Sequence, residues 1–497
     1  MSQNIPKTDG SLEPWVVELE GGLLPQTVFW EAFLYVVKKN PLRILSALLW
    51  ALGNRDKLYE SVSQSAGFSM ATLPYHPELC ASLREEHELG RPLVLVARIP
   101  EKLAHQAADE LGFFSHVYCA SNGTAKKNLD QNKSGFTTWW ANNFGTERPT
   151  KDEAPLSMTY VGRAADHQIL SSLATSLILL HQKKGEQAGD KRVLKSYPLR
   201  QEKGPALVKA LRFHQWSKNA LLFVPLVLAH RWQEPSLIAN VILGFFSFGL
   251  CASSVYVLND LLDVVADRKH HRKKNRPFAS GALSVPLGFV LITVLLPLGA
   301  TLAFIVSPDF LLVMVIYYST TVGYSFWFKQ IAIVDVLVLA GLYTVRLVAG
   351  AAAASVTLSF WLVAFSLFFF LNLALVKRFT EMATLRHQSE SKDGLVKAAG
   401  RGYGADDAPL LRALGVAAGY ISVLILALYL DSEQVKRLYS TPAMLWGMVP
   451  LFVYWISRNW LLASREEMHD DPIVFALTDS ASYLVAVGLA IFLFLAL

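Results

Sequence analysis

Beyond Leu221 the chain returns repeatedly to apolar runs of roughly 20 residues, the length an α-helix needs to cross a hydrocarbon core about 30 Å thick. Nine candidate spans can be marked, at about 218–231, 236–258, 286–306, 310–328, 333–354, 358–376, 411–430, 442–462 and 479–497. The first is the weakest, being short and interrupted by Pro225. The expectation for this part is an all-α polytopic membrane bundle of about nine helices.

Upstream the character changes. Up to about Leu199 the sequence is mixed and charged, with a polar run from Gln182 to Arg192, although the whole chain of 497 residues is 53% hydrophobic. That shift predicts an N-terminal domain at 1–182, a linker at 183–206 and a membrane domain at 207–497. Basic residues then set the orientation. Arg268, Lys269, Arg272, Lys273, Lys274 and Arg276 follow the second span, Lys329 the fourth, and Lys377, Arg378, Arg386, Lys392, Lys397 and Arg401 the sixth. The loops between spans three and four and between five and six carry no Lys or Arg. By the positive-inside rule the basic loops and the N-terminal domain face the cytoplasm of a bacterial-type inner membrane, with no cleavable signal peptide expected. The net charge of +6 reads as topology plus anionic partners, and no stacking-aromatic pattern points to nucleic acid. Cys80, Cys119 and Cys251 share no metal-ligand spacing and read as free thiols in a reducing compartment.

At the end of the second span the sequence runs "NDLLDVVADRKHHRKKNRP". Asn259, Asp263 and Asp267 are spaced four apart, hence on one helix face, and Asp260 lies one step round. Carboxylates gathered at the end of an apolar helix repel one another unless a cation sits between them, and carboxylates with substrate phosphates are the usual hold on Mg²⁺. The plainer reading is a solvated helix end paired to the basic loop, which would need neither the asparagine nor the repeat. Tyr324, Lys329, Asp335 and Arg346 punctuate the later spans, and Lys377, Arg378 and Glu381 close the sixth. Singly each could be an interface anchor or a snorkelling cation; together they suggest a cationic cradle for phosphate oxygens.

The stretch "NDLLDVVADRKHHRKKNRPFASG" resembles the first Asp-rich motif of the UbiA superfamily of intramembrane prenyltransferases, in which such acids bind Mg²⁺ and a polyprenyl diphosphate. The resemblance covers about 205–497. A second Asp-rich motif is usual after the sixth span, but here "KRFTEMATLRHQSESKDG" has no Asp-x-x-x-Asp, a departure from ordinary aromatic prenyltransferases. "LRFHQWSKN", "YSFWFK", "DVLVLAGLYTVRLVAG", "KRFTEM" and "YWISRNWLLASREEMHDDPIVFALTD" are instead similar to the decaprenyl-phosphate phosphoribosyltransferase-like branch. That branch implies a phosphoribosyl diphosphate donor and a polyprenyl phosphate acceptor. It implies Mg²⁺ on Asn259, Asp260, Asp263 and Asp267, with Asp260, Asp263, Lys329, Asp335 and Arg346 in catalysis and Lys377 and Arg378 toward the diphosphate. Two rivals remain: an aromatic prenyltransferase using an isoprenyl diphosphate, and a non-enzymatic membrane transporter or scaffold.

In the N-terminal part "WVVEL", "PLVLVAR", "HVYCAS" and "MTYVGR" read as buried parallel strands, with helical stretches at Gln26–Arg55 and Pro100–Leu111. The order resembles a haloacid dehalogenase-like α/β domain. Its two catalytic acids would fall on Glu18 and Glu20, its hydroxyl residue on Ala97, its lysine on Lys133 and its late metal-binding acid on Arg163. Glutamate, alanine and arginine at those stations imply a fold kept without phosphatase chemistry, with Arg163 a fixed charge able to pair Glu18 or Glu20.

Overall fold

The computed structural model describes residues 12–40, 46, 50, 55–63, 68–119, 133–144, 156–163, 168–180, 192–197, 203–270, 272–390, 402–468, 472–476 and 478–497. The chain divides into two compact units, Met1–Arg212 with Tyr256–Thr293 and Phe213–Val255 with Val294–Leu497.

The first unit is built on a parallel sheet of β1 (Trp15–Glu18), β2 (Leu93–Ala97), β3 (His116–Cys119), β4 (Leu156–Gly162), β5 (Ala174–Leu180) and β6 (Arg192–Tyr197), in the order β3-β2-β1-β4-β5-β6. Every residue of β1 and β2 is buried, as expected of strands covered on both faces. The four expected strands are present, and two more extend the sheet. Ala174–Leu180 continues an apolar stretch in which periodicity does not separate strand from helix. Within 183–206, β6 is exposed over its first five residues, and its apolar Val193 and Leu194, flanked by Arg192 and Lys195, are too few to mark a buried strand. The expected long helix at Gln26–Arg55 is shorter: α1 spans Val28–Lys39 and stops at Asn40, and residues 41–45 lie outside the described part. Pro100 precedes the helix Glu101–Leu111, which ends on Gly112 at φ +74°.

The turn after β1 is tight. Leu23 and Leu24 donate back to the carbonyls of Glu18 and Leu19, and a Cβ on Gly22 would stand 2.2 Å from the Glu18 oxygen. Only glycine fits there. Strand order reverses between β1 and β4, the place where open α/β sheets put their ligand crevice. Burial pushes the Cys80 and Cys119 thiols up to about 11, and all three cysteines are free.

Among the described residues five helices are long and apolar enough to cross a membrane: α2 (Pro235–Leu262), α4 (Val285–Val306), α5 (Val334–Ala353), the Phe360–Ala383 part of α6 (Phe360–Glu390), and Ala408–Leu430. A short helix, α3 (Val264–Lys269), follows α2. The first expected span is instead a 3₁₀ stretch, Phe213–Phe223, running into the five-residue helix Val224–Leu228, where Pro225 sits at the helix start. The second unit packs around Trp455, Trp460, Phe370 and Leu375 in one cluster and Phe248, Phe310 and Tyr317 in another. Only 22% of the apolar stretch of α4 is buried, against 61% of α2, so most of α4 is an exposed apolar surface of the kind a lipid-facing helix presents.

Candidate functional site

Asp260 lies in the last turn of α2, Asp263 is the N-cap of α3, and Asp267 sits within α3. The backbone N–H groups of Asp263 and Asp267 donate to the carbonyls of Asn259 and Asp263, 2.9 and 2.8 Å away, so the four-residue spacing survives the junction between the helices. Asp260 and Asp267 are buried, at 2% and 3% exposed. Each acid meets a cation. Arg276 Nη1 donates to Asp267 Oδ2 at 2.7 Å and to Asp260 Oδ1 at 3.2 Å, bridging the two. Arg212, held at φ +51° and stacked 5.1 Å over the Tyr256 ring, donates to the same oxygen of Asp260. Lys38 of α1 lies 3.3 Å from Asp263 Oδ1.

This donor set is hard, three carboxylates and an amide, and suits Mg²⁺ rather than a thiophilic metal. Among the described residues no three His, Cys, Asp or Glu side chains converge closely enough to enclose an ion. Ammonium and guanidinium groups stand against the acids instead.

In the second unit Asp335, Arg378 and Tyr324 form one polar group, and Arg346 with its partners forms another. Asp335 and Arg378 are both fully enclosed, with Arg378 Nε 2.8 Å from Oδ2 and Nη2 donating to Oδ1 at 3.1 Å. The Tyr324 hydroxyl donates to Asp335 Oδ1 at 2.8 Å, and Arg378 also pairs Glu381. Arg346 donates to the Tyr317 hydroxyl at 3.0 Å, to Asn219 Oδ1 at 3.3 Å and to the Leu342 carbonyl at 2.6 Å. Arg346 and Arg378 are therefore committed to protein partners, while Lys329 and Lys377 are half-buried at span ends. Of the partners that matter around the aspartates, Arg276 was visible only as one of a run of basic residues. Arg212, Lys38 and the α1 glutamate Glu31 carried no sequence signal beyond, for Glu31, a lone acid in the apolar run "TVFWEAFLYVV".

The two acids of the turn after β1 are both engaged by protein groups. Glu18, 2% exposed, accepts from Tyr160 Oη at 2.6 Å and from Arg98 Nη2 at 3.3 Å. Arg98 thus supplies a guanidinium to Glu18. Glu20 Oε1 accepts from the backbone N–H of Val28 at 2.8 Å, which spends it at the start of α1. A Cβ on Gly162 would stand 2.4 Å from the Tyr160 hydroxyl, so the phenol fills the place between β1 and β4. Ala97 is buried in β2.

An apolar multi-helix unit with acids at the end of a spanning helix defines a polytopic membrane protein with a polar centre. Residues 220–479 match the UbiA prenyltransferase family, and the chain belongs to that family and is a transferase. It is 33% identical over 488 residues to the uncharacterized protein y4nM of Sinorhizobium fredii, covering 96% of this chain and 90% of that one. The nodulation protein NoeC of Azorhizobium caulinodans is 36% identical over 292 residues, which are 57% of this chain and 90% of NoeC. A decaprenyl-phosphate phosphoribosyltransferase of Mycobacterium tuberculosis is 35% identical over 180 residues, 35% of this chain and 60% of that protein.

Proposed function

We propose that the chain transfers the phosphoribosyl group of phosphoribosyl diphosphate to a polyprenyl phosphate at the cytoplasmic face of a bacterial inner membrane. The observation that carries this reading is the row Asn259, Asp260, Asp263 and Asp267 at the end of α2, faced by Arg212 and Arg276. Similarity to the mycobacterial phosphoribosyltransferase supports a phosphoribosyl donor. In the reaction the bond from the anomeric carbon to the diphosphate oxygen breaks, the diphosphate keeps the electron pair, and an oxygen of the polyprenyl phosphate forms the new bond to carbon. Mg²⁺ on the four residues would neutralise charge on the leaving group, worth several kcal/mol. Arg212 and Arg276 orient phosphate oxygens beside the aspartates; in the second unit Lys329 and Lys377 are candidates for binding phosphate, and Arg378 and Arg346 hold Asp335 and Tyr317 in place. The acceptor's tail stays in lipid among the spanning helices. The N-terminal domain is a haloacid dehalogenase-like fold without hydrolase activity.

Membranes containing the protein, supplied separately with labelled phosphoribosyl diphosphate plus polyprenyl phosphate and with isoprenyl diphosphate plus an aromatic acid, separate the alternatives by product mass. Product from the first pair alone is expected. Product from the second alone assigns aromatic prenylation, and no product from either removes the transferase chemistry proposed. Phosphomonoester hydrolysis with Mg²⁺ should be absent; turnover that Glu18→Gln eliminates would restore a phosphatase role to the N-terminal domain.

A further inference from the structure

The aspartate segment belongs to the same compact unit as the α/β sheet, and α1 holds it at both ends. Glu31, 3% exposed, pairs Arg268 in a two-pronged contact, Nη2 to Oε1 at 2.7 Å and Nη1 to Oε2 at 3.0 Å. Arg268 directly follows Asp267. The same guanidinium donates to the Ala279 carbonyl at 3.0 Å and the Thr72 carbonyl at 3.2 Å, so one side chain ties α3, the returning loop and the α/β domain together. At the other end, Gln26 donates to Glu31 and accepts from the backbone N–H of Val285, the first residue of α4, at 3.1 Å. Arg276, which bridges Asp260 and Asp267, lies between these two anchors.

Apolar contacts reinforce the clamp. Trp30 and Phe33 of α1 lie 5.9 and 5.5 Å from the Phe289 ring of α4, and Leu34 packs in one cluster with Val257, Leu261 and Phe278. At Gly281, φ +77°, an added Cβ would stand 2.7 Å from Pro25. A buried ion pair of this kind is a poor source of stability, because desolvation consumes most of the Coulomb gain. It is a good source of geometry, since a guanidinium fork on a carboxylate fixes both partners' orientation.

We propose that Glu31 is a positioning residue for the transferase: through Arg268 it sets α3 and its loop so that Asp263, Asp267 and Arg276 present one cation-binding arrangement. The α/β domain is then part of the transferase's working site and not an appended module. This rests on the aspartates binding a divalent ion, and the experiment separates the two ideas.

The test uses the full chain in detergent micelles, titrated with Mn²⁺ and followed by electron paramagnetic resonance, alongside the Mg²⁺ dependence of the transfer rate. Groups that orient metal ligands cost about tenfold or more in affinity when lost. Glu31→Gln, Arg268→Gln and the double variant should each weaken Mn²⁺ binding by about tenfold, the double no further than either single, because the pair acts as one unit. Glu31→Asp should recover part of the affinity. The rate at saturating Mg²⁺ should stay within about twofold of wild type, consistent with lost positioning and not lost chemistry. Unchanged Mn²⁺ affinity, whatever happens to the unfolding temperature, makes the clamp merely structural and overturns the proposal, as do additive losses in the double variant. If Glu31→Gln fails to fold, Arg268→Gln and Glu31→Asp carry the same two outcomes. Asp267→Asn is the control. If it binds Mn²⁺ like wild type, the metal-site reading has failed; if it loses Mn²⁺ while the Glu31 variants do not weaken, this inference alone has failed.

Discussion

Asp335 in the second unit and the aspartates of the first face the same difficulty, a carboxylate in an apolar setting, and meet it differently. Asp335 and its partner Arg378 are each 0% exposed, so neither can turn to water without stranding the other. The cations on Asp260, Asp263 and Asp267 are open by comparison: the side chains of Arg212, Arg276 and Lys38 are 22%, 29% and 46% exposed. These cations keep a path to water even though two of the acids they hold, Asp260 and Asp267, are themselves buried. What separates a fastening from a site is thus the accessibility of the cation, since both regions contain acid–base pairs.

The sharpest way to break this contrast is to remove one half of the closed pair. Arg378→Ala should cost about 3–5 kcal/mol of stability, the penalty of an uncompensated buried charge. Thermal unfolding in detergent measures it, and Arg378→Leu with Asp335→Leu should regain most of the loss. An Arg378→Ala protein as stable as wild type would show the pair to be as open as the others. Next in size is the opposite behaviour in the first unit. Asp263→Ala or Asp267→Ala should lower transfer by about a hundredfold, ~2.7 kcal/mol of transition-state stabilisation, while membrane insertion and unfolding temperature hold. Retention of half the wild-type rate by both at saturating Mg²⁺ would end the metal assignment. The smallest effect belongs to Lys38→Met, whose pair with Asp263 is the most exposed of the set. Stability should change by less than about 1 kcal/mol, and the Mg²⁺ needed for half-maximal rate should fall by no more than about twofold. A tenfold fall would make Lys38 a plug on the site.

The sequence displayed whatever repeats at a period or reads as an unbroken run. β1 to β4 are short apolar stretches because both faces of a parallel sheet are covered, and the acids at the end of α2 recur every four residues because a helix does. Partnerships across the chain have no period. Arg212 reaches Asp260 over 48 positions and Arg268 reaches Glu31 over 237, so the residues that set the charge around the aspartates stayed invisible until the fold brought them together. Likewise Arg346 and Arg378 looked like open cations, because enclosure of a cation by its partners, an acid for Arg378 and neutral oxygens for Arg346, is a property of packing.

Among the described residues the sheet ends on β6, a strand exposed along Arg192–Ser196 and studded with Arg192 and Lys195. A neighbouring molecule adding a seventh strand would have to bring its own backbone against those charges. The protection matters more for this chain than for a freely diffusing one. Anchored copies share a plane, where encounters between like surfaces are frequent and orientations repeat, and a bare sheet edge there would be a seam along which molecules could zip into ribbons. On the outermost strand Arg192 and Lys195 put charge beside the exposed apolar side chains of Val193 and Leu194.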